Sequence, residues 1–314
     1  MKFMCRVNYK LRVYHIILLM NSALLALLKP LNLDLLIYNE WILDPDYYSF
    51  DPFFNAIGDI VRLFGVDIRG FVFAISLCLQ YLVARITLRI FPAVSLSLIA
   101  IVGATAFWNI TLSSNVMRQG MAIIIFLCPL IFFSNKSIIS RAIFNILSIL
   151  THWSMIIFVT TYYLFRGGVY KNKSLKVVFV LICLAFLPII DNYFDVANKV
   201  MFYAKTELFD ESRSSQVPRF LMQFSLLMIA YVLKIIPNSL RFYVFVIAIA
   251  LIFSISFPEV FSRISLASGM FLHVVYYGYI FSSDKLSYNL KFAVSISAFF
   301  IQLMHPSTRV LLEL

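Results

Sequence analysis

Ser113-Ser114-Asn115-Val116-Met117-Arg118-Gln119-Gly120 leads into a run, residues 116–134, in which Arg118 is the only charged side chain. A stretch of about 20 apolar residues is enough for a helix to cross a bilayer, so the run reads as a membrane span with a guanidinium in its first turn. An ionised group in such a place is costly and marks a functional site by default. Ser114 or Asn115 is placed to cap the helix, and the positive end of the helix dipole then points to the same place as Arg118. A helix N-terminus beside a guanidinium fork suits phosphate or pyrophosphate. Asn115, Arg118 and Gln119, spaced i, i+3 and i+4, are expected on one helix face, where the amides would hold sugar hydroxyls or phosphate oxygens. The plainer reading is an interfacial arginine that snorkels to water beside ordinary capping residues.

Composition extends the membrane reading to the whole chain. Hydrophobic residues make up 62% and charged residues 13% of it, with a mean hydropathy of +0.91. Soluble domains carry about 45–50% apolar and about 25% charged residues. The fold class is therefore an all-α polytopic membrane protein, and its 32 Phe and 17 Tyr suit lipid-facing surfaces and interfacial belts. Spans fall near 13–33, 70–88, 91–109, 116–134, 138–165, 176–191, 219–236, 241–257, 263–282 and 290–304. That makes about ten helices, or eleven if one segment is broken. The apolar run from Val13 lacks a small-x-small cleavage site and reads as a first span. Cys5, Cys78, Cys128 and Cys183 show no ligand spacing and read as small hydrophobes.

A net charge of +11 would suggest nucleic acid in a soluble protein. Here the charge sorts by side of the membrane, and no nucleic-acid partner is expected. Lys2, Arg6, Lys10 and Arg12 precede the first span and point to a cytoplasmic N-terminus. The following loop, about 34–69, is acidic apart from Arg62 and Arg69 and belongs outside. It holds the aromatic motif Tyr48-Ser49-Phe50-Asp51-Pro52-Phe53-Phe54 and an amphipathic stretch through Ile57, Ile60, Val61 and Phe64 suited to the interface. Alternation puts Arg85, Arg89, Lys136 and Arg141 inside. An unbroken span at 138–165 would then strand Arg166, Lys171, Lys173 and Lys176 outside. Two short or re-entrant helices meeting near Thr151-His152-Trp153 remove the conflict, and such a break is tolerated where it lines a cavity. A second long outer loop covers about 191–218. The organisation is one transmembrane domain, 1–314, with two long outer loops.

Several further polar residues stand out. Asn145, Ser148 and His152 repeat at helical spacing, and a histidine near neutrality can take a proton from a hydroxyl or meet a departing phosphate. Arg219 opens a span from the outer side with Gln223 one turn deeper, and Arg263 does so after Pro258-Glu259. Three guanidiniums at one level would match a dianionic pyrophosphate in a low-dielectric cavity; separately, each is also an ordinary interfacial anchor. Glu259, at the outer mouth beside Arg263, is a weaker candidate and reads equally as a surface pair; Asp51, in the aromatic outer motif, could orient a sugar or equally begin a turn before Pro52. His273, among Tyr276 and Tyr277, reads as a packing residue. No Walker loop, HExxH, GxSxG or dinucleotide glycine pattern occurs. This argues against an ATPase, a protease and a nucleotide-sugar synthase.

The segment Asn115-Val116-Met117-Arg118-Gln119-Gly120-Met121-Ala122, then Lys136, then Ile149-Leu150-Thr151-His152-Trp153-Ser154, resembles the EpsG/Wzy-type family of polysaccharide polymerases. The pattern is N-x-x-R-Q-x-x-A, a basic cytoplasmic turn, and a His before a small residue. Asp51-Pro52-Phe53-Phe54 resembles the family's acidic–aromatic outer-loop signature, whereas Thr151 stands where an aromatic is common. The match is sharpest over 115–160. The resemblance implies a membrane glycosyltransferase architecture in the bacterial inner membrane. It implies polymerisation of undecaprenyl-diphosphate-linked repeat units into O-antigen, capsule or exopolysaccharide, with no metal and no cofactor. A chain-length regulator and a flippase are the implied partners. Under it, Arg118, aided by Arg219 or Arg263, clamps the pyrophosphate, with Asn115 and Gln119 positioning it and Gln223 among the substrate contacts. His152 is the first choice of base, and Asp51 or Glu259 the fallback. A glycan ligase would use the same clamp. A flippase is the remaining alternative, although the chain shows no internal repeat.

Overall fold

The computed structural model describes residues 2–31, 33–46, 50–132, 138–152, 210–236 and 258–304, with isolated positions such as Met155 and Ile156 between them. The side chains of 2–12, 33, 138, 210–216 and 258–262 are outside that description. Among the described residues every regular element is a helix. In the first half these are α1 (Lys2–Leu28), α2 (Leu33–Leu43), α3 (Pro52–Leu63), α4 (Ile68–Ile90), α5 (Leu96–Ala104), α6 (Phe107–Ile110), α7 (Met117–Phe132) and α8 (Ile138–Thr151). Further on come α9 (Asp210–Val232), α10 (Pro258–Ser282) and α11 (Tyr288–Met304). The expected span 176–191, most of 241–257 and most of the loop 191–218 lie outside the described residues, as does the second arm of the broken pair beyond 159.

The protein is a polytopic membrane protein. Ile68–Ile90 and Arg263–Ser282 are each long and apolar enough to cross a bilayer, and Leu96–Ala104 with Phe107–Asn115 qualifies as a pair bent by 66°. Shorter apolar helices run over Val13–Leu28, Met117–Phe132, Ile139–Thr151, Val217–Val232 and Tyr288–Met304. Large apolar side chains such as Leu19, Leu24, Leu27, Ile139, Phe300 and Ile301 are exposed on these helices. An apolar exterior of this kind is stable only against lipid.

The chain forms two compact units, residues 1–152 with 273–314, and residues 153–272. In the first, Tyr14 and Leu18 of α1, Ala84 of α4, Leu98 and Ile99 of α5 and Phe281 of α10 share one buried cluster, with Val294 and Ala298 of α11 packed on it. Asp67 caps α4 by accepting the Gly70 amide at 2.7 Å. The two basic residues of the acidic loop close helix ends. Arg69 Nη1 donates to the Ala26 carbonyl at 2.8 Å and to that of Lys29, at the end of α1. Arg62 Nη1 donates to the Trp41 carbonyl at 2.9 Å, near the end of α2. Cations are favoured there because the last carbonyls of a helix have no partner of their own. At the opposite end of α4, Arg89 donates to the Leu130 carbonyl of α7, so these two packed helices run parallel.

One expectation changes. The segment 91–109 is not one straight span: α5 stops at Ala104, and the chain turns by 66° before α6. Side chains from neighbouring helices brace the bend, with Asn21 Nδ2 donating to the Ala100 carbonyl at 2.9 Å and the Thr105 hydroxyl to the Phe299 carbonyl at 3.1 Å. Gln80 Nε2 links Ser22 Oγ at 3.2 Å and Ser76 Oγ at 3.0 Å, which ties α1 to α4 beside it. Irregular backbone survives in a membrane protein only with polar partners of this sort. In the loop 34–69, α2 and α3 fill most of the chain, and the amphipathic stretch falls on α3 and its C-terminal end at Phe64. Trp41 stacks on Phe54 at 4.6 Å, with Tyr38, Phe50 and Phe71 around them. A Cβ on Gly58 would lie 2.4 Å from the Trp41 ring, so glycine is what lets α3 approach α2 this closely. In the second unit, Gln223 Nε2 of α9 donates to Ser265 of α10, to its carbonyl at 3.1 Å and its hydroxyl at 2.9 Å.

Candidate functional site

Arg118 stands in the first turn of α7, as the sequence suggests, but by a different local route. The chain reaches α7 through a single π-helical turn, Thr111–Asn115, and the break falls at Val116 (φ −126, ψ 54). The Ser113 hydroxyl donates back to the Asn109 carbonyl at 2.6 Å and that of Ser114 to the Ile110 carbonyl at 2.6 Å. Asn115 Oδ1 lies 2.8 Å from Ser114 Oγ. Neither Ser114 nor Asn115 therefore caps α7: short hydroxyls bond backward to the preceding turn whenever that turn continues upstream. The shared face fails for the same reason, because the helix is interrupted between Asn115 and Arg118. Gln119 is fully buried, whereas Asn115 and Arg118 keep some exposure. Gly120 explains how α7 leaves the π turn, since a Cβ there would sit 2.1 Å from the Leu112 carbonyl oxygen.

Arg118 Nη1 donates to Asp51 Oδ2 at 2.8 Å, and the side chains are 26% and 5% exposed respectively. Tyr38 approaches the same guanidinium, and Arg118 Cζ lies 4.7 Å from the centre of the Phe50 ring. Asp51 is the N-cap residue of α3, with Pro52 at the first helical position, yet its side chain makes no capping bond. The carboxylate that would ordinarily take an amide of its own helix serves Arg118 instead. Asn55 holds this geometry in place. Its Oδ1 accepts from the Phe50 amide and from Trp41 Nε1, both at 3.2 Å, and its Nδ2 donates to the Phe50 carbonyl at 3.0 Å. The sequence pointed to Asp51 but not to Tyr38, Phe50 or Asn55 as its companions. The Asp-Pro start of a helix was the one local signal present, and it says nothing about a partner so distant in the chain.

His152 comes to the same place through helix register. α8 ends at Thr151, so the interruption expected near Thr151-His152-Trp153 is present on its first side. The Ser148 hydroxyl donates to the Ala122 carbonyl of α7 at 2.7 Å. α7 ends at Phe132 and α8 begins at Ile138, too near in the chain for two packed helices to be other than antiparallel. His152 lies one turn beyond Ser148 and Arg118 one turn before Ala122, which brings both to one level at about 5.4 Å per turn. The His152 amide donates to the Ser148 carbonyl at 3.1 Å. Asn145, Ser148 and His152 are all buried. α3 packs on α8 as well, so Asp51, Arg118 and His152 occupy one end of a three-helix cluster.

The other candidates lie in the second unit. Arg219 does not open its helix: α9 starts at Asp210 and includes Pro218. Arg263 likewise follows the start of α10 at Pro258. Both lie inside their helices, Arg219 within Asp210–Val232 and Arg263 within Pro258–Ser282. The Gln223–Ser265 link lies within about one turn of each. Gln223 thus commits its amide nitrogen to a helix–helix contact, while its Oε1 and Ser268 Oγ are buried with no partner among the described residues. The Glu259 side chain lies outside the described residues. Among the described residues no three His, Cys, Asp or Glu side chains gather as a metal site.

Fold and site together define a multi-pass helical membrane protein that carries a half-buried carboxylate–guanidinium pair at the level of a buried histidine, at one end of its helices. The EpsG family model matches residues 11–310, and the chain belongs to that family of Wzy-type polysaccharide polymerases. Membership carries a glycosyltransferase-like polymerase role and a lipid-linked oligosaccharide as substrate. Comparison with curated proteins and with solved structures finds no match.

Proposed function

We propose that this protein polymerises undecaprenyl-diphosphate-linked repeat units at the outer face of a bacterial inner membrane, with its N-terminus cytoplasmic. The growing chain moves from its lipid pyrophosphate to a hydroxyl of the next lipid-linked unit. The bond between the anomeric carbon and the pyrophosphate oxygen breaks, a glycosidic bond forms, and the acceptor hydroxyl loses a proton. The observation that carries this reading is Arg118, held by Asp51 beside Tyr38 and over Phe50 at the level of His152. A guanidinium has five N–H donors, so Asp51 and Tyr38 leave others for an oxyanion. Preorganised donors aimed at a departing charge are the largest catalytic contribution in many enzymes.

In this reading His152 takes the acceptor proton. Asp51 is a positioning residue and not the fallback base, because its carboxylate is already engaged by Arg118. Asn115 stays at the edge of the site, and Gln119 supports it from within the helix packing. Arg219 and Arg263 are assigned to the dianion on charge grounds, since Asp51 offsets the charge of Arg118. Gln223 and Glu259 accompany them. Pyrophosphate leaves readily once its charge is met, so the reaction is taken to need no metal.

The test is a gel of surface polysaccharide from a deletion strain complemented with wild type or with Arg118→Ala. The expected result is loss of the long ladder in the variant, with single repeat units still displayed outside. Repeat units retained inside would support a flippase. A full ladder from Arg118→Ala at normal protein level would remove that residue from the mechanism.

A further inference from the structure

A second set of polar groups in the first unit takes no part in the Arg118 pair. Trp108, Thr111 and His273 are 4%, 9% and 5% exposed. Trp108 Nε1, Thr111 Oγ1 and His273 Nε2 are each fully shielded and have no hydrogen-bond partner among the described residues. The Trp108 and His273 rings meet edge to face at 5.3 Å, and the His273 and Tyr277 rings lie 4.9 Å apart. Trp108 and Thr111, three residues apart in the helical stretch after the bend, share one face of it. Phe at 108, Val at 111 and Phe at 273 would have nearly the same shapes and no stranded polar atoms. Leaving such groups unmatched in a low-dielectric interior is costly, so their presence calls for a partner that arrives from outside the chain.

The chemistry of that partner follows from the three atoms. The Trp108 N–H can only donate, so the partner must accept. Thr111 and a neutral imidazole nitrogen can each meet a hydroxyl in either sense. A single hydroxyl group has the capacity for all three, accepting from Trp108 and from the Thr111 hydroxyl and donating to His273. No lysine or arginine is among the three, so a phosphate or carboxylate is not the group they suit. The aromatic faces of Trp108 and Tyr277 favour the C–H side of a sugar ring. We propose that Trp108, Thr111 and His273 form a subsite for a hydroxyl of a neutral sugar of the repeat unit. This rests on the polymerase reading above and adds a glycan contact that does not use the pyrophosphate.

Trapped water offers the same hydroxyl chemistry, and the experiment separates the two sources. The protein is prepared in lipid nanodiscs with Trp41→Phe and Trp153→Phe, which leaves Trp108 as its fluorophore. The probe is the repeat-unit oligosaccharide released from its carrier, with a dextran oligomer as comparison. The expected result is a saturable change in Trp108 emission with the repeat unit, kept in Arg118→Ala and weakened at least tenfold by His273→Phe and by Thr111→Val. No response to the repeat unit would mean that the groups hold water only, and the proposal fails. A response that both His273→Phe and Thr111→Val leave intact would overturn it too. Failure here leaves the polymer ladder test untouched, so the two readings fall independently.

Discussion

Replacing Gly120 by alanine adds one methyl group to the helix that carries Arg118, and the structure sets the consequence. The new Cβ would sit 2.1 Å from the Leu112 carbonyl oxygen and 3.0 Å from its carbon, with Ile75 Cγ2 at 3.3 Å. Real Cβ atoms essentially never come closer than 3.0 Å to another heavy atom, so the backbones must separate by about 0.9 Å, the difference between 2.1 and 3.0 Å. The obstacle is main chain, which cannot rotate away as a side-chain tip can. Overpacking of this kind costs ~1–3 kcal/mol, and the gain in helix propensity from alanine recovers only ~1 kcal/mol. Function should suffer more than stability, because a displacement of ~1 Å in a positioning element can reduce a rate by ~100-fold. The assays are thermal unfolding of the purified protein in detergent and the polymer ladder from a complemented deletion strain at matched protein level. Gly103→Ala is the control, since its Cβ would meet only Gln80 Oε1, at 3.9 Å. A wild-type melting curve and a full ladder from Gly120→Ala would refute the close crossing of α7 over the π turn, and with it the placement of Arg118.

Other expectations concern the pair itself. Arg118→Lys should lower polymer output to within about threefold of Arg118→Ala, because an ammonium cannot hold Asp51, Tyr38 and an oxyanion in fixed directions; near-normal ladders would sink that role. Breaking a buried pair costs ~3–5 kcal/mol, and the partial exposure of Arg118 brings the expectation for Asp51→Asn down to roughly 2 kcal/mol. A cycle with Arg118→Gln should show a coupling of at least ~1 kcal/mol, and additivity within ~0.5 kcal/mol would contradict the ion pair. Asn55→Ala removes three hydrogen bonds around Phe50 and Trp41 and should destabilise the protein by ~2–3 kcal/mol while reducing output; an unchanged protein would show that the loop holds Asp51 by other means. Chelation by EDTA should leave polymerisation in purified membranes unaffected, and activity lost to EDTA and restored by magnesium would end the metal-independent reading.

Much of the fold was legible because hydrophobicity acts over one helix length. A run such as 116–134 is apolar enough to favour lipid whatever surrounds it, and one arginine at its start is conspicuous for the same reason. The acidic loop, the helix end at Thr151 and the family pattern around Arg118 and His152 are likewise local features. The bend at Thr105 was not legible, because apolar content runs unbroken across it and its bracing groups, Asn21 and Phe299, come from other helices. The cap at Ser114 or Asn115 was a sound local rule overridden by a helical turn continuing from upstream. Tyr38, Phe50 and Asn55 carried no signal, since aromatic and amide side chains are common in interfacial loops.

The amino-acid sequence by itself determined that this chain lives in a membrane, roughly where most of its described helices run, and that a guanidinium and an imidazole guard the ends of two of them. Only the tertiary structure decided that Asp51 meets Arg118 across 67 residues of chain, and that a serine on α8 sets His152 level with it. Periodicity and hydropathy are properties of neighbours along the chain. Which distant charges meet depends on how whole helices stack, and here on a glycine small enough to let one of them pass over a carbonyl.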